Sequence, residues 1–355
     1  MSAFLTDLQY TPAEIAKMAG ELMGQPVTSA EPVSKGANSR VYRLRSSLGN
    51  YVMKFYFQHP KDTRDRLGTE FRSMSFLWAQ GIRQVPQPLN AWDKHACAVY
   101  TLVEGVSPLG QILDADFDQA IDFLKILKGL TKSIASKEFA PASEAFFCAK
   151  DIVNSLKARL KRFNFDDTAD EYLALRKYLQ NEFIPLLEDV ELWSKEYLAG
   201  QGVLWEQELL DQYRTLSPAD FGFHNALRTP AGRMVFLDFE YFGWDDPVKL
   251  VADFVWHPAM SLTQAQKEKF MHQMQSFFDD DPQFRTRLKA FFPLFGLKWC
   301  LIFLNEFVAV DMQRRGFAGM VAQDKTAVRL KQLAKAKAMS DQVRCCYKEF
   351  PYGKK

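Results

Sequence analysis

The sequence predicts an α+β protein in which a small N-terminal lobe, built on an antiparallel sheet, precedes a larger and mainly helical C-terminal lobe. Short β-branched and aromatic runs alternate with turn residues between about 33 and 56, as in hairpin-connected strands. From about residue 116 onward, apolar residues recur mostly at helical spacing. The length of 355 residues exceeds what one small core needs, so we predict two domains, 1–105 and 106–355.

The predicted elements follow one another along the chain. After the sheet, "TRDRLGTEFRSMSFLWAQG" carries apolar residues at helical spacing and ends at Gly81, which predicts a helix packed behind the sheet. "HACAVYTLVEG" then predicts another strand that leads into a short linker. Further helices are predicted near 117–135, 150–162, 168–183 and 186–200 and again from 262 to the end, with a hairpin at 217–240 between them.

The composition excludes several classes of protein. Apolar residues make up 47% and charged residues 25%, which is typical of a globular protein and argues against disorder. A formal net charge of +2 provides no basic field, so we expect no nucleic-acid partner. The oligomeric state does not follow from the sequence.

Cysteine usage and hydropathy favour a cytoplasmic protein. The five cysteines show no C-x-x-C spacing, so we expect neither a zinc site nor a disulfide framework. The N-terminal residues lack the pattern of a signal peptide. The most apolar stretch, Leu297 to Val310, is shorter than the roughly 18 residues of a membrane span, and we interpret it as a buried helix without stable membrane insertion. The amphipathic basic C-terminal stretch is interpreted as a solvated helix, with membrane-surface contact as the alternative.

The hairpin brings together oxygen-bearing side chains. A turn cluster at 229–232 separates "NALR" from "MVFLDF", and folding the strands about residues 231–232 sets Asn225 opposite Leu237 and Asp238. Asp220 lies just before the hairpin. Carboxylate and carbonyl oxygens are the ligands that Mg²⁺ prefers. The alternative, that these side chains only bind loop amides and cap a turn, stays open at this point.

The N-terminal lobe adds residues suited to phosphate. The glycine-containing loop "KGANS" lies between two strands, where backbone N–H groups can close over phosphates. Lys54 lies in the apolar strand "YVMKFY" and needs a partner, for which Glu70 on the next helix is suited. These motifs occur in the order used by phosphoryl-transfer enzymes of the kinase fold: a glycine loop, a strand Lys, a helix Glu, D-x-x-x-x-N and D-F-E.

With these motifs, the chain resembles the aminoglycoside phosphotransferase and choline kinase family, the small-molecule branch of the bilobal protein-kinase-like fold. The resemblance covers roughly residues 30 to 315. Its most specific parts are "DFGFHNAL" and "LDFEYFGWDDP", beside the family's H-G-D-x-x-x-x-N and its D-F-E or D-W-E followed by G-W-G-D-P. The resemblance implies a kinase that uses ATP and Mg²⁺ to phosphorylate a hydroxyl of a small metabolite.

The resemblance also implies a role for individual residues. Asp220 would accept the proton of the substrate hydroxyl or orient that hydroxyl, and Asn225 and Asp238 would hold Mg²⁺. Lys54 would pair with the α- and β-phosphates and be held by Glu70. The remaining implied positions are Gly36, Asn38 and Ser39 in the phosphate loop, Thr101 and Val103 in the adenine hinge, and Glu240 and Asp246 as bracing carboxylates.

The chain departs from the family pattern at two places. Pro218 replaces the histidine found two residues before the catalytic aspartate, where that histidine usually braces the loop. Leu250 stands where a carboxylate is usual, while Asp253 lies further along. Two alternatives therefore stay open: a nucleotide-binding pseudokinase that acts as a scaffold, and a protein kinase, against which the missing A-P-E-like segment argues.

The later helices are expected to form the acceptor pocket. A cationic acceptor such as choline, or an amino sugar, would suit aromatic faces combined with carboxylates. The candidate side chains are Trp244, Asp245, Trp299, Glu306 and Asp311, for all of which a role in the helical core is the alternative. His224 is interpreted as facing solvent or nucleotide, and His257 as a helix-end or core residue.

Overall fold

A computed structural model describes residues 10–35, 39–60, 62–308 and 324–352 of the chain. The contacts of the described residues group them into two compact units. Within the described parts, unit 1 takes residues 10–120 and 222–242, and unit 2 takes 121–221, 243–308 and 324–352. The segment 222–242, which contains the hairpin, thus groups with the N-terminal residues, and the domain boundary between residues 105 and 106 stays a prediction.

The helices and strands follow the predicted order. The strands are β1 (Val27–Lys35), β2 (Ser39–Ser46), β3 (Gly49–Tyr56), β4 (Pro88–Trp92), β5 (Cys97–Thr101), β6 (Thr215–Ser217), β7 (Ala226–Arg228), β8 (Met234–Phe236) and β9 (Gly243–Asp245). The helices are α1 (Pro12–Met23), α2 (Arg66–Ala79), α3 (Asp114–Leu130), α4 (Ala149–Leu160), α5 (Asp170–Tyr178), α6 (Ile184–Gly200), α7 (Pro247–Trp256), α8 (Gln264–Phe277), α9 (Phe284–Phe303) and α10 (Lys325–Cys346). The sequence did not predict α1, α7 and the short strands β4, β6 and β9.

Unit 1 is organised by a five-stranded antiparallel sheet in the order β1-β2-β3-β5-β4. Side chains alternate between the two faces of a strand, and β3 uses this alternation to separate its two tasks. Met53 and Phe55 belong to the core that the sheet shares with α1. Lys54 points to the opposite face and contacts Glu70 of α2. The sheet therefore carries a buried lysine without placing it in an apolar core.

The hairpin β7–β8 has the register that the sequence predicted. Ala226 pairs with Phe236, and Arg228 pairs with Met234. The turn between the strands contains Gly232 at φ 75°, a left-handed conformation that glycine adopts without strain. Past the last pair, the N–H of Leu237 donates to the carbonyl of Asn225 at 2.8 Å. The ladder thus continues to the residue that precedes Asp238.

Unit 2 is built around α9, which packs against α4, α6, α7 and α10. The apolar segment Phe284–Phe307 spans 24 residues with a hydropathy of 1.4, and 78% of its most apolar window is buried inside the protein. It is long and apolar enough to cross a membrane by length and composition alone. The prediction that the most apolar stretch starts at Leu297 and is too short to span a membrane was wrong, because α9, which contains it, begins at Phe284. Its burial is that of a core helix, as the sequence analysis expected.

Candidate active site

Lys54 of β3 is the centre of an ion cluster in unit 1. Its Nζ donates to Glu70 Oε2 at 2.5 Å and to Asp238 Oδ1 at 2.8 Å. The Lys54 and Glu70 side chains are 9% and 3% exposed, whereas that of Asp238 is 27% exposed. Glu70 reaches Lys54 from α2, and Asp238 follows β8 by two residues. The predicted partnership of Lys54 and Glu70 is present, and Asp238 joins it from a distant part of the sequence.

A second buried ion pair lies beside the first. Arg66, the first residue of α2, donates to Glu240 and to the hydroxyl of Tyr241, the latter at 2.6 Å. Asp62 accepts from Arg66 Nη2 at 2.8 Å. The sequence analysis assigned a bracing role to Glu240 but missed Arg66. The signal was present, because Arg66 and Glu70 are four residues apart on α2 and so share one helix face.

The acidic groups of this cluster exceed its cations. Oxygens of Glu70, Asp238 and Glu240 lie within 4.8 Å of one another, and the cations bonded to these three carboxylates are Lys54 and Arg66. Burial raises the pKa of Glu70 to about 7, with Asp238 adding to the effect although Lys54 opposes it. Burial and the charge of Asp238 likewise raise the pKa of Glu240. A surplus of carboxylate oxygens, one of them partly exposed, fits a hard divalent cation such as Mg²⁺.

Asn225 and Asp238 meet at the open end of the hairpin. Asn225 ends a 3₁₀ turn, Phe223–Asn225, and its carbonyl is bonded to the residue before Asp238. Asp238 adopts φ 65°, a left-handed conformation that is uncommon for a residue other than glycine. Such strained residues cluster at functional sites. Asn225 and Asp238 can thus offer one amide and one carboxylate oxygen from neighbouring segments, which suits Mg²⁺.

The buried lysine is held as a cation. Burial by itself would lower the pKa of Lys54, but Asp238 and Glu70 together raise it well above its usual range. A lysine that stays protonated in a fixed position is suited to pair with phosphate oxygens. The rigid sheet and the two carboxylates keep this charge in one place.

The loop and hinge residues are described only in part. Gly36 and Asn38 lie outside the described residues. Ser39 begins β2 and is buried. The N–H of Thr101 donates to Gln87 within the sheet at 3.0 Å, and the Thr101 hydroxyl accepts from the N–H of Gln87 at 2.9 Å. Since the Thr101 N–H is engaged in this way, Val103, two residues past the end of β5, is the better candidate to donate a backbone hydrogen bond to adenine.

Asp220 lies in unit 2, in the loop after β6. Its side chain is 33% exposed, and Oδ1 lies 3.6 Å from Nε2 of His257. Ala219, the residue before it, adopts φ 65° in the left-handed region. The N–H of Ala219 donates to the hydroxyl of Ser217 at 3.0 Å, which ties the loop to the end of β6. Asp220 is therefore a carboxylate with solvent access on a short, locally bonded loop.

The residues proposed for an acceptor pocket occupy different environments. Asp245 is fully buried and accepts from Lys249 at 2.8 Å, and burial raises its pKa to about 6 although Lys249 opposes the effect. The indole of Trp244 donates to the Ser136 carbonyl at 3.0 Å. Glu306 is buried, and Asp311 lies outside the described residues. Trp299 packs edge-on against His257, whose Nε2 lies 3.6 Å from Asp220 Oδ1.

Asp246 has a bracing role inside unit 2. It accepts from the N–H of Val248 at 2.8 Å and so caps the start of α7. The guanidinium of Arg287 on α9 binds both of its oxygens at 3.0 Å and also donates to Asp281 at 2.8 Å. A carboxylate committed to a helix cap and a bidentate arginine is structural in its contacts.

The model of the phosphotransferase enzyme family (APH) matches residues 29–286 of the 355-residue chain. The chain belongs to this family. Among curated proteins, none matches the sequence significantly.

Three solved structures are similar to this phosphotransferase family member over most of their length. A spectinomycin phosphotransferase in complex with ADP and spectinomycin is 14% identical, with a TM-score of 0.64 and coverage of 96% of this chain and 99% of that one. A choline kinase from Streptococcus pneumoniae is 16% identical, with a TM-score of 0.59 and coverage of 92% and 98%. A Plasmodium vivax ethanolamine kinase is 12% identical, with a TM-score of 0.56 and coverage of 89% and 83%. At these identities the likeness establishes the fold, and the predicted α+β, protein-kinase-like fold class is confirmed.

Proposed function

We propose that this protein is an ATP-dependent kinase that, with Mg²⁺, transfers the γ-phosphate to a hydroxyl group of a small metabolite. The observation that carries the proposal is the contact of Lys54 Nζ with both Glu70 and Asp238, at 2.5 and 2.8 Å. It joins a strand lysine, a helix glutamate and the aspartate of D-F-E, which are parts of a phosphoryl-transfer site. Membership of the phosphotransferase enzyme family supports the same reaction.

In this proposal unit 1 binds the nucleotide. Lys54 presents a permanent positive charge to the phosphate oxygens, and Glu70 keeps its side chain extended. Val103, past the end of β5, donates a backbone hydrogen bond to adenine, and Ser39 borders the phosphate loop. Mg²⁺, when bound by Asn225 and Asp238, supplies positive charge that offsets the charge on the phosphate oxygens.

The ion pair of Arg66 and Glu240 stabilises the arrangement of Lys54, Glu70 and Asp238. Both side chains are buried, and Glu240 lies two residues after Asp238. Because Arg66 also holds the hydroxyl of Tyr241, the segment after Asp238 is tied to the first turn of α2. We infer that these contacts maintain the left-handed backbone of Asp238.

Asp220 handles the proton of the acceptor. Its carboxylate accepts a hydrogen bond from the acceptor hydroxyl and takes the proton as the hydroxyl oxygen bonds to the γ-phosphorus and ADP leaves. Such a carboxylate need not be a strong base, because the transfer depends mainly on alignment of the oxygen with the phosphorus. The 33% exposure of the Asp220 side chain is consistent with this access.

The acceptor class we propose is a sugar, an amino sugar or an amino alcohol. This proposal is supported by proteins of similar fold, which include a choline kinase, an ethanolamine kinase and a spectinomycin phosphotransferase. Asp245 does not recognise a cationic acceptor in this proposal, because Lys249 neutralises it in the interior. Trp299, which packs against His257, is the aromatic side chain that we propose to contact a cationic acceptor. We also propose that the protein acts in the cytoplasm.

The experiment that tests the nucleotide site is a thermal melt with ATP or GTP, each with and without Mg²⁺. At a nucleotide concentration about 100 times the dissociation constant, linkage predicts a stabilisation of roughly 2.7 kcal/mol and a shift of a few degrees. We expect a Mg²⁺-dependent shift in the wild type that is lost in Asp238→Ala. Asp122→Ala, which removes an exposed carboxylate on α3, is the matched control and keeps the shift. No shift with any nucleotide would end the kinase proposal.

The role of Asp220 is tested by turnover. ADP release is followed with choline, ethanolamine and spectinomycin as acceptors, in the wild type and in Asp220→Asn. We expect the variant to lose transfer by about 100-fold or more while its nucleotide-dependent melt shift is unchanged. Transfer at the wild-type rate in Asp220→Asn would remove Asp220 from its proposed role and leave the nucleotide site standing.

A further inference from the structure

The fold of unit 2 places the imidazole of His257, which is distant in the sequence, beside Asp220. The chain has Pro218 where the family pattern has a histidine two residues before the aspartate. His257, the residue that ends α7, lies with Nε2 at 3.6 Å from Asp220 Oδ1. This distance is slightly longer than a hydrogen bond. Catalytic hydrogen bonds are often long before substrate binds and shorten in the complex.

A hydrogen bond to Nδ1 of His257 determines that Nε2 faces Asp220 as the donor. The N–H of Ala259 donates to Nδ1 of His257 at 3.3 Å. In a neutral imidazole, a nitrogen that accepts a hydrogen bond leaves the proton on the other nitrogen. The proton is therefore on Nε2, and it faces the Asp220 carboxylate. Protonation of Nδ1 would break the bond to Ala259, so the neutral form with an Nε2 donor is favoured by this contact.

The ring of His257 is held from two sides. Trp299 of α9 packs edge-on against it, with ring centroids 4.5 Å apart and an interplanar angle of 80°. The indole N–H of Trp299 donates to Asp253 Oδ1 at 3.0 Å. The backbone N–H of His257 donates to the carbonyl of the same Asp253 at 2.9 Å. His257, Trp299 and Asp253 thus form a closed arrangement that connects the end of α7 to α9.

Buried charges in turn hold Asp253. Lys298 and Lys249 approach its Oδ2 at 3.5 and 3.6 Å, and the side chains of both lysines are less than a tenth exposed. Within the described part of unit 2, the charged groups around His257 include Asp220 directly and, behind Trp299, Asp253 with its two lysines, of which Lys298 also lies 3.5 Å from Glu144. A buried ion network is costly to rearrange, because removal of one partner leaves a charge without compensation. The support of the imidazole is accordingly rigid.

We propose that His257 is a positioning residue for Asp220. His257 takes the place of the histidine that the family pattern has at the position of Pro218. The inference rests on the proposed function, in which Asp220 receives the proton of the acceptor hydroxyl. The Nε2–H of His257 faces one carboxylate oxygen and sets the plane of the carboxylate, so that the other oxygen has a defined direction. The loop that carries Asp220 also contains Ala219 in a left-handed conformation, and the contact with His257 restrains this loop from α7.

The first test compares turnover in two substitutions at one position. His257→Phe keeps a ring against Trp299 and removes the donor, whereas the amide of His257→Gln replaces an N–H at about the place of Nε2. We expect His257→Phe to lower kcat about tenfold to a hundredfold with KM for ATP unchanged, and His257→Gln to recover part of the loss. His272→Gln, on the exposed side of α8, is the control and keeps the wild-type kcat.

The second test does not require phosphoryl transfer. In protein labelled with ¹⁵N-histidine, the His257 imidazole signal is assigned by its absence in His257→Gln and is titrated in the wild type and in Asp220→Asn. At 3.6 Å, loss of the Asp220 charge is expected to lower the pKa of His257 by about one unit or more. This coupling persists even if no acceptor or nucleotide is ever found, so the two proposals fail separately.

Either of two results would overturn the proposal. One is a His257 titration that is identical in the wild type and in Asp220→Asn. The other is wild-type kcat in a folded His257→Phe variant. If His257→Phe melts below the assay temperature, the Asp220→Asn titration decides the matter, because it leaves His257 and its packing intact. A fall in kcat that His257→Gln does not reduce would point to packing against Trp299 and count against positioning.

Discussion

The substitution Lys54→Met examines the buried ion cluster most directly. Methionine keeps the apolar stem of the lysine and removes the charge, so Glu70 and Asp238 lose a donor at 2.5 and 2.8 Å. Loss of one partner from a buried pair costs about 3–5 kcal/mol, and Glu70 is only 3% exposed. The partly exposed bond to Asp238 adds about 0.5 kcal/mol. We expect a loss of about 4 kcal/mol in the free energy of unfolding at pH 8.

This loss converts into a melting shift. At about 2 cal/mol/K per residue, a chain of this length has an unfolding entropy of about 0.7 kcal/mol/K, so the midpoint should fall by about 5 °C. The loss should shrink as the pH falls from 8 to 6. Burial already raises the pKa of Glu70 to about 7, and removal of Lys54 raises it further. The folded state therefore holds a proton that the unfolded state releases, and protonation stabilises the fold at lower pH.

A double variant provides the control. In Lys54→Met with Glu70→Gln, the charge of Glu70 disappears together with that of its partner, so most of the lost stability should return while Mg²⁺-nucleotide binding does not. The melts are followed by differential scanning fluorimetry at pH 8 and pH 6. The reasoning is refuted if Lys54→Met melts within 1 °C of the wild type at pH 8, or if the double variant is no more stable than the single one.

Three further substitutions test local features, each by urea unfolding. Ala219→Gly should stabilise the fold by about 0.5–1 kcal/mol, because the residue has φ 65°, and an unchanged midpoint would contradict the strain argument. Gly243→Ala should cost more than about 2 kcal/mol, since its Cβ would lie 2.4 Å from a backbone carbonyl oxygen, whereas Gly129→Ala, in open space on α3, should not destabilise. Asp246→Asn should cost about 1–3 kcal/mol, because Arg287 loses a bidentate carboxylate and keeps only its contact with Asp281, and a cost below about 0.5 kcal/mol would show that the pair is dispensable.

Much of the proposed nucleotide site could be predicted from the sequence, because local patterns determine the placement of its residues. Lys54 stands out as a charge in an apolar strand, and the alternation of β3 puts it on the face opposite Met53 and Phe55. The turn at Gly232 sets the register of a short hairpin, and that register brings Asn225 beside Asp238. A two-residue periodicity and a turn are enough to derive both placements.

Other features required packing that no local pattern specifies. Asp245 was a candidate for acceptor recognition by its charge alone, but its side chain turns inward to Lys249, one helical turn further along the chain. Arg66 shares a helix face with Glu70, yet its partner Glu240 comes from another part of the chain. His257 had no motif around it, and its sequence environment identified it only as a helix end.

The sequence by itself determined the order of most elements, the family resemblance and the residue types of the proposed phosphoryl-transfer site. These follow from periodicity, turn residues and the spacing of a few charged groups within segments that fold locally. The tertiary structure decided which charges neutralise one another and which histidine faces Asp220. The physical reason is that the ring of His257 is oriented by Trp299 and Asp253, on α9 and α7, and these helices meet only when the apolar core of unit 2 packs.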